Sequence, residues 1–316
     1  MDDRILSIYD HYVHSAEPRR VFLKKLAKAA GSTAAAATIL PWLEGTGAEA
    51  AMIAPDDANL TTATVKYAGG TAEMSAYIAM PKAGGKLPTV VVIHENRGLT
   101  AHIEDIARRL AAEGFLAVAP DMLSVVGGTP KDRDKARDMI GDLKGGDVVK
   151  NLVATTAFAR AHANSNGNVG AVGFCWGGQR TNMLAVADSR LKGAVAYYGR
   201  QPTADIDKIQ AKLLLHYADD DKGVNSGIDA YVKALTAAGK SFEKHQYPGH
   251  QACLQQRRQS RALQRGGGEG SLGTHGCFPQ GQSLTGLAIL SGFGRKRKGP
   301  ANRRALFIIS RGTRSV

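Results

Sequence analysis

Three kinds of residue in this chain could do chemistry together. Gly173 to Gly178 reads "GFCWGG", a cysteine set among glycines between an apolar run, "NVGAVGF", and a helical stretch, "WGGQRTNMLAVA". That is the G-x-nucleophile-x-G elbow, with Cys175 in the position of serine. A sharp strand-to-helix turn holds the nucleophile in a strained conformation, and the glycines keep side chains from colliding there. The helix N-terminus stabilises a thiolate and offers backbone N–H groups to an oxyanion. The plainer alternative is a small packed hydrophobe in a Gly-rich turn. Asp219, Asp220 and Asp221 follow another apolar run, "AKLLLHYA", and could orient a base or simply sit in a solvated loop. His250 comes directly after "SFEKHQYPG". Thiol, histidine and carboxylate together would make a nucleophile, a base and an orienting group.

Such groups need a scaffold that delivers them to one place. "ATVKYAGGTAEMSAYIAMPK" reads as a β-hairpin around Gly69-Gly70. "LPTVVVIHE" and "FLAVAPDML" are short continuous apolar runs, the pattern of buried parallel strands. Between them "IEDIARRLAAEG" has helical spacing and closes at Gly114. Helical stretches follow at about 131–142 and 148–164, then the strand, elbow and helix around Cys175. "LKGAVAYYG", "AKLLLHYA" and "SFEKHQYPG" read as strands, with the amphipathic "GIDAYVKALTAAG" before the last. The alternation predicts an α/β fold, a mostly parallel, doubly wound sheet with helices on both faces. Ligands then sit at the carboxyl ends of the strands.

The chain has 316 residues and 43% apolar content, enough for a large core. A formal charge of +13 points towards nucleic acid or an anionic membrane. Its distribution argues against both. Residues 251–316 hold 12 Lys and Arg against one acid, whereas residues 1–250 hold 29 basic and 27 acidic side chains. Cys175 stands alone in the body and Cys253 and Cys277 lie in the tail, so the body has no internal disulfide. At the other end, "PRRVFLKK", an Ala-rich run "LAKAAGSTAAAATILPWL" and Ala48-Glu49-Ala50 have the layout of an export signal. Arg19-Arg20 with Phe22, Leu23 and Lys24 resembles a twin-arginine signal, with Pro18 in place of the usual Ser or Thr. The run is too short and too weakly apolar for a stable membrane span. Residues 1–50 are thus expected to be a signal read by the twin-arginine export machinery, with a mature start near Ala51 and a periplasmic location. The alternative is an amphipathic helix that stays attached.

"VVVIHENRGL", "ARRLAAEGFLAVAPDML", "GFCWGG", "AVAYYGRQ", "LLLHYADDDKGVN" and "YPG" come in the order and spacing of the dienelactone hydrolase (carboxymethylenebutenolidase) family. The chain resembles its exported branch over about residues 60–249. The resemblance implies an α/β-hydrolase fold over residues 51–249 and a Cys-His-Asp triad acting on a small-molecule lactone or ester, with no metal or cofactor. It makes Cys175 the nucleophile and Asp221 the triad acid, with Asp219 and Asp220 as rivals. Glu95 matches the family glutamate that holds the resting cysteine, and backbone N–H groups of Trp176 and Asn96 would form the oxyanion hole. Arg97 and Arg200 are candidates for a substrate carboxylate, and Tyr197 and Tyr198 for lining the pocket or simply packing. His94 and His216 read as structural. A general esterase and a ligand binder that does not use the thiol remain alternatives.

The resemblance stops after Gly249. The family histidine belongs at residue 252, which is Ala252, so His250 stands two positions early. Residues 251–316 contain no Asp, Tyr, Trp or Met and show no sustained helical or strand period. Read one nucleotide later with GC-rich codons, "GHQACLQQRR" can spell "GTKHAFNND", the missing motif. "LQRGGGEGSLGTHGCFPQ" can spell an amphipathic helix in the same frame. Residues 250–316 are therefore expected to be a basic, Gly-rich, disordered frameshift product. The triad histidine and the closing C-terminal helix would then be absent, apolar sheet surface uncovered, and turnover low. The basic "GRKRKGPANRR" lacks interleaved aromatics and is not expected to bind nucleic acid.

Overall fold

The computed structural model describes residues 3–14, 17–44, 53–219 and 221–247. Three helices come first: α1 (Asp3–His14), α2 (Arg19–Ala30) and α3 (Thr33–Glu44). The main unit then runs β1 (Leu60–Ala68), β2 (Glu73–Pro81), β3 (Leu87–Ile93), α4 (Ala101–Ala112), β4 (Leu116–Asp121), α5 (Arg133–Asp142), α6 (Gly145–Ala161), β5 (Ser165–Phe174) and α7 (Trp176–Ala187). It ends with β6 (Gly193–Tyr197), β7 (Lys212–Ala218), α8 (Lys222–Asn225), α9 (Ile228–Ala237) and β8 (Phe242–Tyr247).

The eight strands form one sheet in the order β1-β2-β4-β3-β5-β6-β7-β8. The β1–β2 hairpin and the β2–β4 pair are antiparallel, and every pair from β4 to β8 is parallel. Successive side chains point to opposite faces. Val90 and Val92 pack with α4, whereas Val91 and Ile93 join the core under α6, α7 and α9. Burial on both sides is why these strands read as unbroken apolar runs. From β3 the chain crosses to β4 on one side, while β5 lies on the other. A crevice therefore opens at the carboxyl ends of β3 and β5, where Glu95 and Cys175 emerge.

The element types agree with the sequence pattern, with two instructive differences. β5 begins at Ser165, three residues before its apolar run. Pairing of Ser165 with Leu87, and a 2.8 Å hydrogen bond between the Ser165 and Thr89 hydroxyls, draw polar residues into the ladder. At the N-terminus, the Ala-rich run is divided between two helices. Gly31, at φ +86°, ends α2 in the left-handed cap conformation. The Ser32 hydroxyl accepts from the Ala35 N–H at 3.0 Å as α3 begins. The three helices share a small core of Ile5, Tyr9, Tyr12, Phe22, Leu26, Ala36 and Leu43. No helix among the described residues is long and apolar enough to cross a membrane. Beyond them the chain is pinned at Ile53, whose N–H donates to Asp105 (3.0 Å) and whose carbonyl accepts from Arg108 (2.8 Å). The Ala48-Glu49-Ala50 site, Asp220, His250 and the tail lie outside the described residues.

Among the described residues the sheet face near β8 shows no large exposed hydrophobic. Val126 is the one large exposed hydrophobic among the described residues. A ladder of rings helps to close that face. Phe174, Tyr197, His216 and His245 stand in register on β5, β6, β7 and β8. Tyr197 stacks on His216 at 4.4 Å, and His216 pairs its Nδ1 with the Tyr247 hydroxyl at 2.9 Å. Burial, and then His245, push the His216 pKa down to about 3. The unfolded chain takes up that proton near pH ~6.5. The contribution of neutral His216 is thus complete above that pH and falls by about 1.4 kcal/mol per unit from there towards about 3. His216→Phe is expected to flatten urea-melt stability between roughly pH 6.5 and 5. Parallel slopes for the two proteins would show that His216 does not carry the effect.

Candidate active site

Cys175 is the last residue before α7 and lies at φ 56°, ψ −117°, a region that non-glycine residues rarely adopt. Its N–H donates to the Tyr197 carbonyl (3.0 Å), and its carbonyl accepts from the Gln179 N–H (3.1 Å). The turn is therefore fixed from the neighbouring strand and from the first turn of α7. The thiol is free and half-buried. The glycines do what the spacing predicts. A Cβ at Gly173 would lie 2.2 Å from the Gly177 carbonyl oxygen, and one at Gly177 would lie 2.4 Å from the carbonyl oxygens of both Ile93 and His94. Only bare backbone lets the start of α7 press against the end of β3.

That contact sets Cys175 beside the 94–99 loop, which is held firmly. His94 is buried; its Nε2 accepts from the Met122 N–H (3.1 Å), leaving Nδ1–H to donate to the Glu95 carbonyl (2.6 Å). Burial lowers its pKa, consistent with a neutral ring of structural role. It also stacks on Trp176 at 5.4 Å. Further along, Thr129 accepts from the Leu99 N–H (2.9 Å), while Asp121 accepts from both the backbone and the hydroxyl of Thr129 at 2.8 Å. Gly98 (φ +76°) leaves room for Thr129, whose hydroxyl would be 2.2 Å from a Cβ there. Asp121 and Thr129 are the supports that sequence reading missed. The only local trace was an acid at the end of "FLAVAPDML", and its partners come from a turn eight residues on.

The other candidates divide. Tyr198, itself at φ 40°, donates its hydroxyl to Glu95 Oε1 at 3.3 Å, so Glu95 and Tyr198 meet beside the elbow. Tyr197 serves mainly the ring ladder. Asp221 is the N-cap of α8, its Oδ1 accepting from the Val224 N–H at 3.0 Å. Asp219 is exposed. Arg200 is exposed and close to the Asp221 loop, since a Cβ at Gly223 would be 3.8 Å from its Nη2 and 3.6 Å from Asp221 Oδ1. Arg97 departs from expectation. It is only 3% exposed and turns towards α1 and α5, stacked on Tyr12 at 5.0 Å and 3.7 Å from Asp134. As folded here it does not present its guanidinium to a ligand. His216 packs in the ring ladder with its Nδ1 on Tyr247. The backbone N–H groups of Trp176 and Asn96 belong to the two segments that Gly177 brings together.

The model of the "Dienelactone hydrolase family" matches residues 74–264. A protein of Methylorubrum extorquens named "Putative carboxymethylenebutenolidase" is 32% identical over 216 residues, which are 63% of this chain and 74% of that one. Among solved structures, a dienelactone hydrolase-like promiscuous phosphotriesterase from metagenomic libraries shares the fold at a TM-score of 0.60 and 23% identity, over 74% of this chain and 98% of that one. An esterase from Pyrobaculum calidifontis does so at 0.52 and 15%, over 73% and 86%. Matched over most of its main unit and built on the α/β-hydrolase sheet, this chain belongs to the dienelactone hydrolase family.

Proposed function

We propose that this hydrolase acts on a lactone or carboxylic ester of a small molecule through the Cys175 thiolate. The observation that carries the proposal is the elbow: a cysteine held at φ 56° between β5 and the N-terminus of α7. The thiolate attacks the carbonyl carbon and forms a tetrahedral oxyanion. The Trp176 and Asn96 N–H groups stabilise that oxyanion, each such donor contributing about 3 kcal/mol in related chemistry. Collapse expels the alkoxide and leaves a thioester, which a base-activated water hydrolyses. Glu95 restrains the resting thiol, Asp221 orients the base, and Arg200 meets a substrate carboxylate.

The base is the weak point. Under this proposal residues 250–316 are read out of frame, His250 is accidental, and the triad histidine is missing. Acylation survives through the small thiolate fraction, and deacylation is slow. The N-terminal twin-arginine pattern adds a proposed export to the periplasm. Iodoacetamide tests the nucleophile. Cys175 is expected to alkylate readily near neutral pH, and an activated ester is expected to release about one equivalent of alcohol in a burst before slow turnover. Cys175→Ala abolishes the burst. An inert thiol would instead support a ligand binder on the same fold, a reading favoured by Asp221 being engaged as a helix cap.

A further inference from the structure

We propose that the α1–α2 hairpin is an intramolecular ligand of the hydrolase unit, docked on a receptor site formed by Asp134, Arg97 and Arg137, and that while docked it withholds Arg97 from any external carboxylate. The receptor is built around one carboxylate. Asp134, in the first turn of α5, accepts from the Tyr12 hydroxyl at 2.6 Å and from the Arg19 N–H at 3.1 Å. The guanidinium groups of Arg97 and Arg137 lie 3.7 and 3.8 Å from the same oxygen, Oδ1. Arg97 covers the Tyr12 ring and donates to the Tyr12 carbonyl at 3.5 Å, and Arg137 donates to the Glu17 carbonyl at 3.4 Å. The hairpin thus offers a phenol, two carbonyls and a backbone amide, and each has a partner on the main unit.

The sequence explains why the hairpin needs this partner. The N-cap of α2 is Pro18, which makes no side-chain cap bond, and its first turn carries no acid. Val21 and Phe22 donate to the Pro18 carbonyl, and the Arg19 N–H at the very start requires an acceptor from outside the helix. Asp134 supplies one from 115 residues away. The hairpin also shares a hydrophobic interior with α3, separate from the cores of the main unit, with Tyr12 stacked on Phe22 at 4.3 Å and Leu26 buried. It can therefore dock and leave as a unit, held at a few polar points. The docked element contains Arg19-Arg20, so whatever reads that pair competes with Asp134 for it. The consequence for a carboxylate-bearing substrate rests on the function proposed above; the docking does not.

The test uses the full chain. Brief trypsin treatment reads cleavage after Arg19, Arg20, Lys24 and Lys25, and phenylglyoxal with peptide mapping reads Arg97. Asp134→Ala is expected to raise both rates by about tenfold, and Tyr12→Phe, which removes one hydrogen bond, by about threefold. Residues 53–247 stay resistant in all three proteins. Equal rates in parent and Asp134→Ala, with that core intact, would overturn the proposal. Should Asp134→Ala weaken the core, Tyr12→Phe decides alone, and an unchanged rate overturns it. Cys175 alkylation, measured on the same samples, separates the two ideas. An inert thiol with a protected hairpin removes the hydrolase reading and keeps the docking; a reactive thiol with a freely cut hairpin does the reverse.

Discussion

Placing the codons after Gly249 in the alternate frame is expected to raise steady-state turnover of an activated ester by several orders of magnitude, up to the rate of acylation, which itself stays nearly unchanged while the burst shrinks. The asymmetry follows from the two halves of the reaction. Attack needs a thiolate, and a cysteine holds a few per cent of it at neutral pH without help. Deacylation needs a water made nucleophilic at the thioester, and two of the described histidines, His94 and His216, are engaged elsewhere. His94 is locked between Met122 and the Glu95 carbonyl, and His216 is buried against Tyr247. Removing the histidine of a serine protease triad costs on the order of 10⁶ in kcat, which sets the upper limit. In the restored protein Asp221 is expected to exchange the Val224 N–H for the incoming imidazole. Rapid-quench and steady-state assays on the two proteins check this. Equal turnover by both would show either that the tail supplies its own base or that the site is not catalytic.

Gly177→Ala is expected to be among the more damaging single methyls at the described residues. Its Cβ would lie 2.4 Å from two carbonyl oxygens, and both are backbone at the end of β3. A flexible side chain could swing aside; a strand in the centre of the sheet cannot. Overpacking of this kind costs about 3 kcal/mol or more. Relief by pushing α7 outward would move Trp176 away from Asn96 and open the elbow. Both loss of urea stability and altered Cys175 alkylation are therefore expected. Gly146→Ala in α6 is the control: nothing lies within 4 Å of its Cβ position. There the lower backbone freedom of alanine is expected to stabilise by about 0.5 to 1 kcal/mol. If Gly177→Ala melts like the parent protein, the close approach of α7 and β3 is not what fixes the site.

The sequence alone settled what depends on neighbours along the chain. Apolar runs with no polar face, helices closed by glycine and the hairpin at Gly69-Gly70 each follow from the local pattern, and together they dictate a parallel sheet. The elbow was legible for the same reason, since the strain at Cys175 and the crowding of Gly173 against Gly177 arise within six residues, whereas what crowds Gly177 itself is the distant end of β3. Tertiary structure decided what depends on distant partners. That α2 is capped by Asp134, that Arg97 faces Tyr12, and that Thr129 and Asp121 hold the loop beside Cys175 could not be read from any window. A charged side chain beside a motif has no direction until the fold supplies its counterpart. Arg97 and Arg200 looked alike in sequence, yet one is buried under α1 and the other is exposed near Asp221. Periodicity placed the backbone; desolvation and pairing across the fold then chose where each polar group points.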